Sequence, residues 1–136
     1  MTTANADLIR TMRVFAWIDL PIVTVMAIPG LSHGLVNLIG TIDALLEFGN
    51  GVGAWSPMAY LFLNVAGVLG VLWALIRLGQ PDNLSLVRLD AWGRLAVTAL
   101  VIGYVATGAV TPVLLVFLVS ELVGAAFEFR ALARSR

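Results

Sequence analysis

The chain has 136 residues, 60% of them hydrophobic and only 12% charged, with a mean hydropathy of +0.99. An ordinary soluble domain is about 45–50% apolar and about 25% charged, so a water-soluble core of this length cannot hide the apolar surface. Eight acids balance eight arginines, with no lysine, which excludes a nucleic-acid partner and a polybasic segment for anionic lipid, and leaves the bilayer as the expected surroundings of one membrane domain.

A transmembrane helix needs about 20 mainly apolar residues to cross about 30 Å of hydrocarbon. Four stretches meet or approach that length, and together they predict an all-α, four-span antiparallel bundle. Span one covers 12–29 and ends at Pro29-Gly30. Arg10 and Arg13 ahead of it resemble the start of a signal peptide, but VMAIPGLS offers no clean small-x-small cleavage site, and Asp19 and Pro21 interrupt the run, so a retained span is expected. Residues 32–48 follow, with Leu35, Leu38, Ile39, Ile42, Leu45 and Leu46 at helical spacing and Asn37, Thr41, Asp43 and Glu47 opposite. This pattern predicts an amphipathic interfacial helix with a solvated acidic face, closed by the loop Gly49-Asn50-Gly51-Val52-Gly53.

Span two, 57–77, opens with Ser56 as an N-cap and Pro57 at the first helical position, where a missing N–H does no harm. Pro81-Asp82-Asn83 reads as a turn. Span three, 89–109, begins with Asp90 and Arg94 at i, i+4, expected as an ion pair at the membrane edge. Thr111-Pro112 repeats the cap-plus-proline signal and starts span four, 112–130, so spans three and four form a hairpin. The arginines fall at the N-terminus, near the loop between spans two and three, and at the C-terminus; the other connections have none. The positive-inside rule then places both termini in the cytoplasm, in a bacterial-type inner membrane. Small residues predict packing stripes at Ala66, Gly70 and Ala74, at Ala99, Gly103 and Thr107, and at Ser120 and Gly124. A homodimer or docking into a larger membrane complex is an alternative use of such faces.

A carboxylate at the centre of a span costs about 2.5–3.5 kcal/mol on insertion scales and usually faces a partner or a cavity. Asp19 and Glu121 are the two acids without a bland location. At a rise of about 1.5 Å per residue, Asp19 lies roughly 9 Å beyond Arg13 and Glu121 roughly 13 Å from Arg130, depths close enough for one shared pocket. Pro21 frees the carbonyl of Trp17 beside Asp19, and Asn64, Tyr104 and Ser120 supply further polar groups. The candidate catalytic pair is therefore Asp19 and Glu121, with Trp17, Asn64, Tyr104 and Ser120 as candidate ligand contacts.

No Walker loop, GxGxxG, HExxH or GxSxG motif is present, which excludes nucleotide-driven transport, zinc proteolysis and serine hydrolysis of the usual kinds. The absence of cysteine removes thiol and Cys-metal chemistry, and the lone His33 argues against haem; no cofactor or metal is implied. Three functions fit: a bundle that binds a lipophilic small molecule or serves as an accessory subunit; an acid/base isomerase or cyclase of an isoprenoid, sterol-like or quinone-like lipid; and a proton-coupled small exporter.

Overall fold

The computed structural model describes residues 3–49 and 53–134. The helices are α1 (Thr3–Ala27), α2 (Leu31–Leu45), α3 (Pro57–Gly79), α4 (Leu84–Ala106) and α5 (Leu115–Arg134), with a 3-10 turn at Pro112–Leu114 leading into α5. Among the described residues there is no strand. Of the expected 49–53 loop, Asn50, Gly51 and Val52 lie outside the described residues.

Local chemistry sets the boundaries. Ser56 Oγ accepts from the Ala59 N–H, and Asn83 Oδ1 accepts from Ser85 and Leu86, so α4 starts ahead of the expected position. Thr111 Oγ1 accepts from the Val113 N–H. α4 ends where Gly108, at φ 69°, lets its own N–H reach the Val105 carbonyl while that of Ala109 reaches Tyr104, the Schellman arrangement. At the end of α2 Glu47 takes the same left-handed position, φ 55°, although it carries a side chain.

Three segments, Pro57–Gly79, Leu84–Ala106 and Pro112–Arg134, are long and apolar enough to cross a membrane. α1 and α2 meet that test only as a pair, bent by 103°. Pro29 disfavours helix at Ile28, Gly30 turns the chain at φ 92°, and His33 Nδ1 accepts from the Gly30 N–H. Asn64 of α3 fixes this corner, donating from Nδ2 to the Met26 carbonyl at 2.7 Å and to Ser32 Oγ at 2.8 Å.

Helix α1 packs along α3, α4 along α5, and α1 more lightly on α5, whereas α3 and α4 approach each other at few points. The four long helices thus form a ring in the order α3, α1, α5, α4, open on the side between α3 and α4. α2 lies across one end, against α1, α3 and the 3-10 turn. Leu8, Met12, Val87 and Ala131 make a small core at the opposite end.

The small residues pack differently from the expected stripes. A Cβ on Gly67 would overlap the α1 backbone at Met26 and Ala27, and one on Gly70 would meet Val23, so the α3 stripe of Gly67, Gly70 and Ala74 serves α1 and not α4. Ala99, Gly103 and Thr107 are exposed, and Gly103 has open space beyond it. Gly124 does pack inward, beneath the Arg94 side chain.

Candidate functional site

Two guanidinium groups organise the interior. Arg77 comes from the last turns of α3 and Arg94 from the middle of α4, and their side chains are 2% and 4% exposed. A charge this deep requires partners. Arg77 donates from Nη1 to Asp90 Oδ2 at 2.9 Å and from Nη2 to Asp19 Oδ2 at 2.7 Å. Arg94 donates from Nη2 to the same Asp19 oxygen at 2.5 Å and from Nη1 to Glu121 Oε2 at 3.3 Å. Its Nε–H is shared between Asp90 Oδ2 at 3.4 Å and Glu128 Oε1 at 3.3 Å. Trp73, one turn before Arg77, completes the cluster by donating its indole N–H to Asp90 Oδ1 at 2.7 Å. The Arg94 guanidinium also lies over the Phe15 ring, 5.3 Å from its centroid.

All four ring helices contribute to this cluster: Asp19 from α1, Trp73 and Arg77 from α3, Asp90 and Arg94 from α4, and Glu121 and Glu128 from α5. It bridges α3 to α4 across the side where their backbones separate. Glu128 is fully buried, and its Oε2 has no donor among the described residues; Arg77 Nε and Thr98 Oγ1 are likewise buried without a partner.

Against the cluster lies a cavity of about 810 Å³. Its polar end is made by Asp19, Asp90, Glu121, Arg77, Arg94 and Trp73. From there it runs between apolar side chains such as Val23, Met26, Val97, Val101 and Phe117 toward Trp55 and Thr111, with Val36 and Ile39 of α2 above it. Among the described residues no group of three or more His, Cys, Asp or Glu side chains has the geometry of a metal site.

Asp19 and Glu121 therefore meet through Arg94 and line one cavity. Ser120 also lines it, with its hydroxyl donating to the Phe117 carbonyl at 2.9 Å. Asn64 is engaged at the α1–α2 corner. Trp17 and Tyr104 are 62% and 57% exposed and do not line the cavity. Asp90 and Arg94 do form the expected i, i+4 ion pair, at 3.4 Å, but it is buried within the cluster and shared with Arg77, Asp19, Glu121 and Glu128, and Arg77 is an interior residue, not a loop marker. Glu128, which the sequence does not single out, is interior too. Asp43, the acid within α2, is 2% exposed, so the expected solvated acidic face holds only for Glu47 beyond the helix end.

A signal for the missed residues was present in the spacing. Val87, Asp90, Ala91, Arg94 and Thr98 are the buried stripe of α4, while Trp92 and Leu100 are exposed. In lipid the polar stripe of a helix faces inward. Glu121 and Glu128, seven residues apart, share one stripe of α5 in the same way.

No protein-family model matches the chain, and neither the curated proteins nor the solved structures give a match.

Proposed function

We propose that this chain is a four-span membrane bundle, with both termini on the cytoplasmic side of a bacterial-type inner membrane, that binds a lipophilic small molecule with its polar end at the Arg77–Arg94 cluster. The observation that carries the reading is the cavity: about 810 Å³, walled by hydrocarbon and closed at one end by ionic groups from four helices. Small-molecule pockets usually measure about 300–1,000 Å³ and have this makeup, mostly apolar with a few convergent polar groups.

Counting α1 as a span rests on its packing. Its 25 residues reach roughly 37 Å at about 1.5 Å per residue, enough to cross. Asp19, which lowers its apolarity, is paired with two arginines inside the bundle, so its charge is held away from the outer face of the helix.

Purification in mild detergent followed by mass analysis of co-eluting small molecules tests the proposal. Gly93 lines the cavity and a Cβ on it meets nothing within 4 Å, so Gly93→Trp should fill the space without disturbing helix packing. A lipophile retained by the natural chain and lost from Gly93→Trp supports binding in the cavity. A stoichiometric protein partner with no lipophile would instead make the chain an accessory subunit.

A second reading, acid/base isomerisation or cyclisation of a lipid, is favoured by one observation: Glu128 keeps an undonated carboxylate oxygen beside the groups that hold Asp19 and Glu121. Such a reaction needs one carboxyl to give a proton and another to take it. Turnover of a lipid substrate by the natural chain, lost in Asp19→Asn and Glu121→Gln at unchanged folding, would establish it.

A further inference from the structure

We infer that the cavity selects lipophilic cations, amines with a hydrocarbon body, over lipophilic acids; the inference rests on the cavity reading above. Two arginines at the floor of an apolar pocket at first suggest an anion site. The bookkeeping of charge and exposure points the other way. Four carboxylates, Asp19, Asp90, Glu121 and Glu128, surround two guanidinium groups, a formal charge of −2. A single proton held between Asp90 and Glu128, the two acids that share the Arg94 Nε–H, would still leave −1.

Exposure follows the same order. The arginine side chains are 2% and 4% exposed, whereas those of Asp19 and Glu121 are 16% and 22% exposed and line the cavity. Each of these two acids uses one oxygen for its arginine bonds, Oδ2 and Oε2, which leaves Asp19 Oδ1 and Glu121 Oε1 for a ligand. Arg77 and Arg94 also border the cavity, but every Nη already gives one N–H to a protein carboxylate and the side chains are almost wholly buried, so a ligand reaches far less of them than of Asp19 and Glu121; Arg77 Nε is buried. What a molecule meets at the polar end is therefore an excess of negative charge and of acceptors. An ammonium group satisfies both; a carboxylate or phosphate head would face like charge beside largely buried groups, where repulsion is stronger than in bulk water.

The test uses three probes with one hydrocarbon tail: dodecylammonium, dodecanol and dodecanoate, titrated by calorimetry into the full chain in nanodiscs of zwitterionic lipid, with empty nanodiscs as the baseline. The expected result is dodecylammonium binding about tenfold or more tightly than dodecanoate, with dodecanol between them. Glu121→Gln, which removes one cavity-facing charge and one 3.3 Å bond to Arg94, should narrow the preference for dodecylammonium over dodecanoate, with the helical circular dichroism of the natural chain retained as the check that the bundle is folded. Dodecanol or dodecanoate binding as tightly as dodecylammonium would overturn the inference while leaving the cavity reading intact. If no probe binds above the baseline, or if Gly93→Trp binds all three equally well, the cavity reading falls and the inference with it.

Discussion

At the scale of single residues, Arg94 holds the cluster together, since its guanidinium touches acids from α1, α4 and α5. Removing one partner from a buried ionic group typically costs about 3–5 kcal/mol because the opposite charges are left uncompensated. Arg94→Gln should lower the thermal unfolding midpoint in detergent by far more than Arg88→Gln, an exposed position on the same helix. Arg94→Lys should not rescue it, as an ammonium on a flexible stem cannot reproduce three directions of donation. Glu47 gives a second residue-scale expectation. A side chain in the left-handed region costs about 1–2 kcal/mol, partly offset by the entropy glycine would lose on folding, so Glu47→Gly should be neutral or stabilising by up to about 1 kcal/mol. The same midpoint measurement reads it.

At the scale of elements, the α1–α3 interface depends on close approach and α4 does not. Helices in lipid gain little from hydrophobicity on meeting, so small residues that bring backbones together do most of the work. Gly67→Ala places a methyl group into the α1 backbone and should cost about 1–3 kcal/mol, by overpacking. Gly103→Ala adds the same methyl to open space and should stabilise α4 by about 0.5–1 kcal/mol, the usual gain of alanine over glycine in a helix. Denaturation of the two variants in one detergent would separate them by sign. The small-xxx-small spacing is legible in both helices, but which stripe is used depends on which helix lies opposite, and spacing carries no information about that. The α1–α2 corner is a similar case: Pro29-Gly30 signals a break, yet the direction of the bend is held by Asn64, 38 residues away from the Met26 carbonyl it caps.

At the scale of the whole molecule, the chain wraps into a ring open between α3 and α4, and the polar cluster spans that opening from within. Its orientation in the bilayer is testable because the natural chain has no cysteine. With Arg77 and Arg94 assigned to the interior, the other arginines among the described residues, Arg10, Arg13, Arg88, Arg130 and Arg134, are exposed, at the end of the bundle away from α2. If that end is cytoplasmic, Gly53→Cys should react with a membrane-impermeant maleimide in intact cells, and Ser85→Cys only after permeabilisation.

Composition alone pointed to lipid, because 60% apolar residues exceed what a domain of this length buries, and three segments of the fold are long and apolar enough to cross a membrane. Caps and prolines at Ser56-Pro57 and Thr111-Pro112 located helix starts, since those signals act within one turn and need no neighbour, whereas Asn83, read only as part of a turn, caps α4 ahead of its expected start at 89. Asp19 and Glu121 were legible as interior acids from depth along their helices. Their partners were not, because an arginine near a helix end reads equally well as a loop marker or as an interior cation. Tertiary packing decided that question for Arg77 and Arg94. It brought acids from positions 19, 90, 121 and 128 around them, and the resulting excess of carboxylate exists only in the assembled bundle.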